Sequence, residues 1–306
     1  MYDIIIIGAG IAGLTSAIYS LNANKKVLVL EKQSYGGQII TSPKVNNYPG
    51  LPNINGFDLA TAVYNQAIDL GCEIKYEQVE KITKEKEVFT TKDKYQAKAI
   101  IIATGLVSNK LNIENEDNYI GKGISYCATC DGNFYKNKDV MVVGGGNTAL
   151  EETLYLSDIC NKVYLVHRRD EFRGQRSSLD KLKEKENVEI ITNSQINKIY
   201  GNDLLEEVEI INNNSELRSI NISGLFIAVG KVPSNVIFKD IIELNENGYI
   251  KDNSNCHTNV EGIFVAGDVK EKNLRQLVTA ASDGAIAAIE AIKHLNNWQL
   301  FKSIIK

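Results

Sequence analysis

Short, continuous apolar runs dominate the hydrophobic pattern of this chain. YDIIII at residues 2–7, KVLVL at 26–30 and AIIIATG at 99–105 are rich in β-branched residues. Runs of this kind are typical of strands buried on both faces of a parallel sheet. Similar runs recur later, with DVMVV at 139–143, VYLV at 163–166 and GLFIAVG at 224–230. The pattern therefore predicts two α/β units.

The first run leads directly into a glycine-rich turn, GAGIAG, with Gly8, Gly10 and Gly13 at G-x-G-x-x-G spacing. A helical pattern follows, and the next strand ends at Glu31. This order predicts a dinucleotide site, in which Gly8 permits the turn, Gly10 admits a pyrophosphate and Gly13 lets helix and strand pack closely. The helix N-terminus favours the pyrophosphate, and Glu31 is expected to bind an unphosphorylated ribose.

A second copy of this unit begins at residue 139. The turn GGGNTA places Gly144, Gly146 and Ala149 at the fingerprint positions, and the helical pattern LEETLYLSDI follows it. Alignment of the copies by their first glycines places His167 opposite Glu31. The second half of the chain is therefore expected to hold its own nucleotide.

The acid of the first copy is exchanged for the basic segment HRRDEFR, which contains Arg168, Arg169 and Arg173. Guanidinium groups bind a phosphate bidentately, whereas a carboxylate in the same place repels it. The second site is therefore predicted to prefer NADPH over NADH. The alternative interpretation is a solvated run of charge.

The two sites thus have opposite ribose chemistry. FAD lacks a ribose phosphate and suits the first site, and NADPH donates a hydride that a flavin can accept. The later run GIFVAGDV ends in Gly267 and Asp268, ahead of a long helical pattern that starts near residue 274. Asp268 is expected to bind a ribityl hydroxyl, with a plain helix N-cap as the alternative.

The order of these segments predicts an α/β fold of two Rossmann-like, three-layer domains. The FAD-binding domain is split between residues 1–111 and 239–306, and the NADPH-binding domain, residues 112–238, is inserted between the two parts. Segment 111–123 is polar and is interpreted as the crossing linker, and segment 234–240 as the return. Two adjacent linkers favour a hinge.

Composition narrows the classes of function. The chain has 306 residues and a net charge of −4, which argues against nucleic acid or an anionic membrane as the main partner. The N-terminus lacks a basic region before its apolar run, and no stretch approaches the roughly 20 apolar residues of a membrane span. A cytoplasmic protein is therefore expected.

The segment SYCATCDGNFY places two residues between Cys127 and Cys130, with Asp131 immediately after them. A redox-active dithiol, half of a zinc site and a chance pair are the alternatives. The chain has no second C-x-x-C and no H-x3-5-H among its three histidines, which argues against a metal site. In a reducing compartment a close pair of cysteines is more often catalytic than structural.

Asp131 and the three remaining cysteines are each interpreted separately. A carboxylate beside a thiolate raises the thiol pKa by repulsion, so Asp131 is interpreted as a proton carrier for the dithiol. The alternative is an acid that caps a turn. Cys72, Cys160 and Cys256 are expected to be small buried hydrophobic residues.

Together the motifs resemble the low-molecular-weight, bacterial-type thioredoxin reductases over essentially all 306 residues. They are GAGIAG, GGQIITSPKVNNYPG, IIATG, CATCDG, GGGNTALEE, HRRDEFR and GIFVAGDV…RQLVTAASDGAIAA. Their order and spacing, above all CATCDG shortly before the second glycine fingerprint, make the resemblance specific.

The resemblance implies cofactors, roles and partners. FAD would be held by Gly8, Gly10, Ala12, Gly13, Glu31, Gly37, Gln38, Asn47, Asp268, Arg275 and Gln276. NADPH would be held by Gly144, Gly146, Ala149, His167, Arg168, Arg169 and Arg173. Cys130 would lie nearer the flavin, Cys127 would attack thioredoxin, and Asp131 would act as acid and base. Members of this family are homodimers in which the NADPH domain swings between two poses.

Two other functions share parts of this pattern. One is a related flavoprotein disulfide reductase that serves a thioredoxin-like donor of a peroxide-reducing system. Such proteins carry an extra N-terminal region, which is expected to be absent because the first strand begins at Tyr2. The other is a slow NADPH- or redox-sensing flavoprotein. Ferredoxin-driven relatives lack the second glycine fingerprint and its arginines, and both are present here.

Overall fold

The computed structural model describes residues 1–42, 45–253 and 255–304. Positions 43 and 44 of the GGQIITSPKVNNYPG motif lie outside the described residues, as do 254, 305 and 306. The chain forms two compact units. Unit 1 comprises Met1–Val107 and Val232–Lys306, and unit 2 comprises Ser108–Lys231. The crossings lie a few residues before the expected boundaries at 111/112 and 238/239.

Each unit contains both strands and helices. The strands are β1 Tyr2–Ile7, β2 Val27–Glu31, β3 Glu73–Tyr76, β4 Val79–Ile82, β5 Glu87–Thr90, β6 Lys94–Ile102, β7 Leu106–Ser108, β8 Ile124–Ser125, β9 Asp139–Val143, β10 Lys162–Val166, β11 Val188–Ile191, β12 Ser194–Gly201, β13 Leu205–Asn212, β14 Leu217–Asn221, β15 Gly224–Ile227, β16 Lys231–Pro233 and β17 Ile263–Val265. The helices are α1 Ile11–Asn22, α2 Gly56–Asp69, α3 Ala128–Asp131, α4 Asn147–Ser157, α5 Arg176–Lys183 and α6 Leu277–Ile304.

Unit 1 is built on a parallel sheet in the order β3-β2-β1-β6, with β17 also paired to β6 and an antiparallel extension through β5 and β4. The isoleucine run of β1 explains why this sheet forms. Ile4 and Ile6 pack on the side of α1 and α6, whereas Ile5 and Ile7 pack on the opposite side. Each such burial contributes about 2 kcal/mol. The predicted strand with two buried faces is therefore confirmed.

Unit 2 repeats the plan with the parallel order β11-β10-β9-β15-β8. Val140 and Val142 of β9 face the helical side, with Leu150 of α4. Met141 and Val143 face a separate antiparallel sheet, β12-β13-β14. Helices, parallel sheet and antiparallel sheet give three layers, so the predicted α/β class with one unit inserted in the other is confirmed.

Helix α6 packs closely on α1 because small residues face each other. A Cβ at Gly284 would collide with the carbonyl oxygen of Ala12. The buried Ser16 hydroxyl lies 2.9 Å from the carbonyl oxygens of both Ala12 and Gly284 and can donate to either. The DGAIAA segment therefore fixes α6 against the helix that follows the first glycine turn. Among the described residues, no helix combines the length and apolar character needed to cross a membrane.

The polar segment 111–123, interpreted from the sequence as a linker, is instead folded into unit 2. Glu116 is only 3% exposed. Its carboxylate accepts hydrogen bonds from the backbone N–H groups of Leu111 at 3.0 Å and Asn112 at 2.7 Å, and from the Tyr126 hydroxyl at 2.8 Å. A buried carboxylate with three donors ties this segment to the residue that precedes Cys127.

Replacement of Glu116 with alanine should destabilise unit 2. Three donors would lose a buried acceptor, so we expect a loss of about 2–4 kcal/mol in the free energy of unfolding. Urea denaturation followed by circular dichroism measures the loss. The matched control is Glu114→Ala, which removes an exposed carboxylate and should change stability by less than about 0.5 kcal/mol. Equal effects of the two substitutions would contradict the bracing role of Glu116.

Candidate functional site

The first glycine turn is shaped by close backbone contacts. Gly8 has φ of +108°, and a Cβ there would collide with the carbonyl oxygen of Ala103 at the end of β6. A Cβ at Gly13 would collide with the carbonyl oxygen of Gly8. These two glycines therefore let the chain turn sharply and let α1 start directly at the edge of the sheet.

Gly10 differs from its two neighbours in the motif. It is the N-cap of α1, has no side-chain cap, and a Cβ at this position would meet no protein atom within 4 Å. Nothing within the described part of the chain demands glycine here. Open space beside exposed N–H groups at a helix start suits an incoming pyrophosphate. This position fits the dinucleotide expected in unit 1.

Glu31 is held against the same turn by two backbone donors. Its Oε2 accepts from the Ala9 N–H at 2.8 Å, and its Oε1 accepts from the Gln33 N–H at 2.9 Å. The carboxylate therefore has a fixed position at the end of β2. A fixed acid at this strand end suits ribose hydroxyls and disfavours a ribose phosphate.

Two further predicted residues reach the turn from the segment after β2. Gly36 donates its N–H to the carbonyl oxygen of Ala9 at 2.7 Å. A Cβ at Gly37, which has φ of +63°, would lie 3.2 Å from the Cα of Gly10. Gln38 donates its side-chain N–H to the Leu106 carbonyl oxygen at 3.2 Å. The structure thus brings Gly37 beside the first turn and connects Gln38 to the start of β7.

Asp268 lies in a short 3-10 turn, Gly267–Val269, and α6 begins only at Leu277. The alternative interpretation of Asp268 as a helix N-cap is therefore wrong. Its buried Oδ1 forms an ion pair with Lys272, whose Nζ lies 3.2 Å away. The buried hydroxyl of Thr104, by contrast, has no hydrogen-bond partner among the described residues. A buried hydroxyl without a partner fits a polar ligand such as the ribityl chain of FAD.

The last predicted FAD residues also contact one another. Arg275 donates from Nε to the carbonyl oxygen of Asp268 at 3.3 Å, and its guanidinium lies 4.0 Å from the centre of the Tyr249 ring. Asn47 donates to the Gln276 side chain at 2.9 Å. Ala12 is buried at the contact between α1 and α6. Residues distant in sequence are thus assembled within unit 1.

A buried charge cluster beside Asp268 was missed by the sequence reasoning. Lys270 Nζ lies 2.6 Å from Asp252 and 3.1 Å from Asp283, and Lys272 Nζ lies 2.8 Å from Asp283. Burial alone would lower the pKa of Lys270, but the hydrogen bond to Asp252 and the neighbouring charges raise it above its ordinary value. The spacing GDVKEK gave no signal of this pairing, because Asp252 and Asp283 are far along the chain.

The second glycine turn repeats the geometry of the first. A Cβ at Gly144 would collide with the carbonyl oxygen of Ala228, and it would lie 2.8 Å from the Cβ of Ala149. Gly146 is the N-cap of α4, and among the described residues it has no side-chain cap and no atom within 4 Å of a Cβ at this position. The turn of unit 2 is therefore as well suited to a pyrophosphate as the turn of unit 1.

The basic segment after β10 divides into a buried and an exposed part. His167 is 6% exposed, its ring lies against Gly145, and its centroid is 4.9 Å from that of Phe172. Burial lowers the pKa of His167, and the adjacent arginines lower it further. The structure places His167 under the turn as a packing residue, and its contact with NADPH stays a prediction.

The three arginines of this segment have exposed side chains. The Arg173 backbone N–H donates to the Gly145 carbonyl oxygen at 2.7 Å, which holds the segment beside the glycine turn. Within the described residues, none of the three guanidinium groups forms an ion pair with a carboxylate. Cationic groups placed beside a helix N-terminus suit a phosphate on the ribose.

Cys127 and Cys130 form a disulfide, so the two cysteines of the C-x-x-C segment are bonded to each other in this structure. Cys127 is the N-cap of the short helix α3, and its Sγ accepts from the Cys130 N–H at 3.2 Å. The Ser125 hydroxyl donates to Asp131 Oδ2 at 2.6 Å and accepts from the Cys127 N–H at 3.1 Å. Ser125, which the motifs did not single out, thus connects Asp131 to the backbone of the first cysteine.

The other three cysteines are free and buried, as the sequence predicted. Burial raises the pKa of Cys72 to about 12 and that of Cys160 and Cys256 to about 11. A thiol with such a pKa carries almost no thiolate at neutral pH, so these residues are unsuited to redox exchange.

Comparison with known proteins places these features in a family context. The family model described as pyridine nucleotide-disulphide oxidoreductase matches residues 2–284. The chain is 41% identical over 298 residues to the 34.2 kDa protein in the rubredoxin operon of Clostridium pasteurianum, covering 96% of this chain and 97% of that one. It is 39% identical over 299 residues to the thioredoxin reductase of Bacillus subtilis, and the match covers 96% of this chain and 94% of that one. The solved structure of Lactococcus lactis thioredoxin reductase is similar with a TM-score of 0.88 and 37% identity, covering 97% of this chain and 100% of that one.

Substitutions Gly10→Ala and Gly13→Ala should separate the two uses of glycine in the first turn. We expect Gly13→Ala to destabilise the apoprotein by about 1–3 kcal/mol, because its Cβ would overlap the Gly8 carbonyl. We expect Gly10→Ala to leave the apoprotein melting temperature nearly unchanged and to weaken FAD binding about tenfold or more, or about 1.4 kcal/mol. Thermal melting and FAD fluorescence titration measure the two effects. Unchanged FAD affinity in Gly10→Ala would show that the open space is not the pyrophosphate site.

Proposed function

The chain belongs to the pyridine nucleotide-disulphide oxidoreductase family, and from this premise we propose that it is a thioredoxin-disulfide reductase that uses FAD and NADPH. Reducing equivalents pass from NADPH through FAD to the Cys127–Cys130 disulfide and then to the disulfide of thioredoxin. The observation that carries this assignment is the closed C-x-x-C disulfide next to a second dinucleotide turn in the inserted unit. Curated thioredoxin reductases related along nearly the whole chain support it.

The electron count closes at each step. FAD held by the residues of unit 1 would supply the chemistry of a two-electron carrier between NADPH and the disulfide. Cleavage of the Cys127–Cys130 bond takes up these two electrons and two protons and leaves two thiols. One thiolate then attacks the disulfide of the partner, and the second cysteine resolves the mixed disulfide, so the original bond re-forms and the partner leaves as a dithiol.

The residues of unit 1 support a proposal for FAD. Gly8, Gly10 and Gly13 would shape the pyrophosphate site, Glu31 would bind the adenosine ribose, and Asp268 would bind the ribityl chain. Ala12, Gly37, Gln38, Asn47, Arg275 and Gln276 would complete the site. The buried Thr104 hydroxyl, which has no hydrogen-bond partner among the described residues, and the open space at Gly10 are the observations that support this set.

In unit 2 we propose that Gly144, Gly146 and Ala149 shape the NADPH pyrophosphate site. Arg168, Arg169 and Arg173 would bind the 2′-phosphate, and His167 would support the turn. Asp131 would carry the proton of the dithiol, with Ser125 orienting its carboxylate through their 2.6 Å hydrogen bond. Cys127 would attack thioredoxin, and Cys130 would exchange electrons with the flavin.

Two broader features complete the proposal. The protein would act as a homodimer, as the resemblance implies. Its place would be the cytoplasm, where a reducing environment keeps Cys72, Cys160 and Cys256 as free thiols. The relatives do not favour a peroxide-system reductase or a redox sensor.

The arginines of the basic segment should set the preference for NADPH. The double substitution Arg168→Ala with Arg169→Ala should raise the KM for NADPH about 10- to 100-fold and leave the KM for NADH within about twofold, because two charge-assisted phosphate contacts disappear. Steady-state kinetics with both nucleotides measure the ratio. Arg176→Ala removes an exposed arginine of α5 and is the matched control. An equal increase in the KM values for NADPH and NADH would contradict binding of the 2′-phosphate by these arginines.

Replacement of Cys130 with serine should abolish thioredoxin reduction and the reduction of a disulfide dye. The visible absorption of bound flavin should remain, because the substitution removes the dithiol and leaves unit 1 intact. Cys160→Ser is the matched control, since Cys160 is a free buried cysteine of the same unit and its loss should retain turnover. Thioredoxin reduction by Cys130→Ser at the normal rate would refute the proposed route.

A further inference from the structure

We propose that Glu152 is a positioning residue of the redox centre whose charge controls how readily the reduced cysteines ionise. The inference rests on the proposed function, because it concerns the same dithiol. Glu152 belongs to α4, the helix that begins at the second glycine turn. No motif assigns it to the cysteines.

The side chain of Glu152 connects two elements of unit 2. Its Oε1 accepts the backbone N–H of Ala128 over a long 3.4 Å contact. Ala128 directly follows Cys127, is fully buried and is the first residue of α3. A carboxyl from the nucleotide-binding helix therefore reaches the start of the helix that carries Cys130.

The second carboxyl oxygen of Glu152 lies in an environment that does not compensate a negative charge. Oε2 is buried and has no hydrogen-bond partner among the described residues. An ionised carboxylate in such a position lacks the donors that normally compensate for lost hydration. The buried site therefore favours the neutral acid over the anion.

The charged groups around Glu152 come from three elements. Burial raises the pKa of Glu152 to about 7, the Ala128 N–H and Lys231 of β16 oppose the rise, and Glu151 of α4 adds to it. The redox helix α3 faces this carboxyl with the Ala128 N–H, and it also carries Asp131, whose carboxyl accepts a hydrogen bond from the Ser125 hydroxyl. The charge of Glu152 thus changes close to neutral pH.

This change has a consequence for the dithiol. When Glu152 is neutral, its carboxyl places no negative charge next to the start of α3. When Glu152 is ionised, its charge stands at the N–H next to Cys127 and repels a thiolate, which raises the thiol pKa. Thiolate is the nucleophile in disulfide exchange, so Glu152 couples reactivity toward a partner to pH.

The test compares Glu152→Gln with the matched control Glu151→Gln. The glutamine amide introduced by Glu152→Gln can still accept the Ala128 N–H, so the substitution removes the charge and keeps the contact. The full-length holoprotein is reduced with dithiothreitol, and the rate of alkylation by iodoacetamide is measured from about pH 5 to about pH 9, a range that brackets the ordinary pKa of a thiol. This readout needs neither NADPH nor thioredoxin, so failure of the proposed electron route would not affect it.

We expect Glu152→Gln to react about three- to tenfold faster than the wild-type protein near pH 8, and the two proteins to converge below about pH 6. Glu151→Gln, which alters an exposed carboxylate, should follow the wild-type profile. Coincident profiles for Glu152→Gln and the wild type would overturn the proposal. So would an equal shift in both variants, because it would indicate a diffuse charge effect.

Thermal stability provides a second measurement. The pKa of Glu152 is raised in the folded state, so folding loses stability as the pH rises from about 4.5 toward 7. Glu152→Gln should therefore melt at a higher temperature than the wild type at about pH 8, and the difference should be smaller at about pH 5. A lower melting temperature of the variant under the alkaline condition would show that the ionised carboxylate stabilises the site and would overturn the inference.

Discussion

The close approach of a glycine turn to the end of a neighbouring parallel strand is the constraint on which both units depend. In unit 1 the turn at Gly8 lies against the carbonyl of Ala103, and in unit 2 the turn at Gly144 lies against that of Ala228. A side chain at either glycine would push the following helix away from the sheet. Because neither has one, each helix begins at the sheet edge, and its N-terminus is suited to an anion.

What surrounds this shared turn makes the two sites chemically different. Glu31 is locked in place by two backbone donors in unit 1, whereas unit 2 buries His167 under the turn and leaves arginines exposed beside it. A fixed carboxylate excludes a ribose phosphate and guanidinium groups attract one. The same backbone geometry is therefore suited to two different nucleotides.

Buried charges connect the nucleotide turns to the reacting groups. In unit 1, Lys272 forms ion pairs with both Asp283 and Asp268. In unit 2, Glu152 links the helix of the second turn to the redox helix. Buried ionisable groups need partners, and losing one partner leaves a costly unpaired charge. Such groups set the local electrostatics beside the proposed cofactor and redox sites.

The sequence by itself determined the repeated strand–glycine–helix units, the insertion of one in the other, and the C-x-x-C redox pair. These features follow from local patterns, since β-branched runs, glycine spacing and paired cysteines act within a few residues of each other. Only the tertiary structure decided that segment 111–123 is folded through Glu116, that Asp268 is not a helix cap, and that Ser125 and Glu152 contact the redox helix. The reason is physical: the meaning of a polar side chain depends on its burial and on its partners, and for Glu152 and Asp268 the groups that decide these properties lie on other elements of the fold.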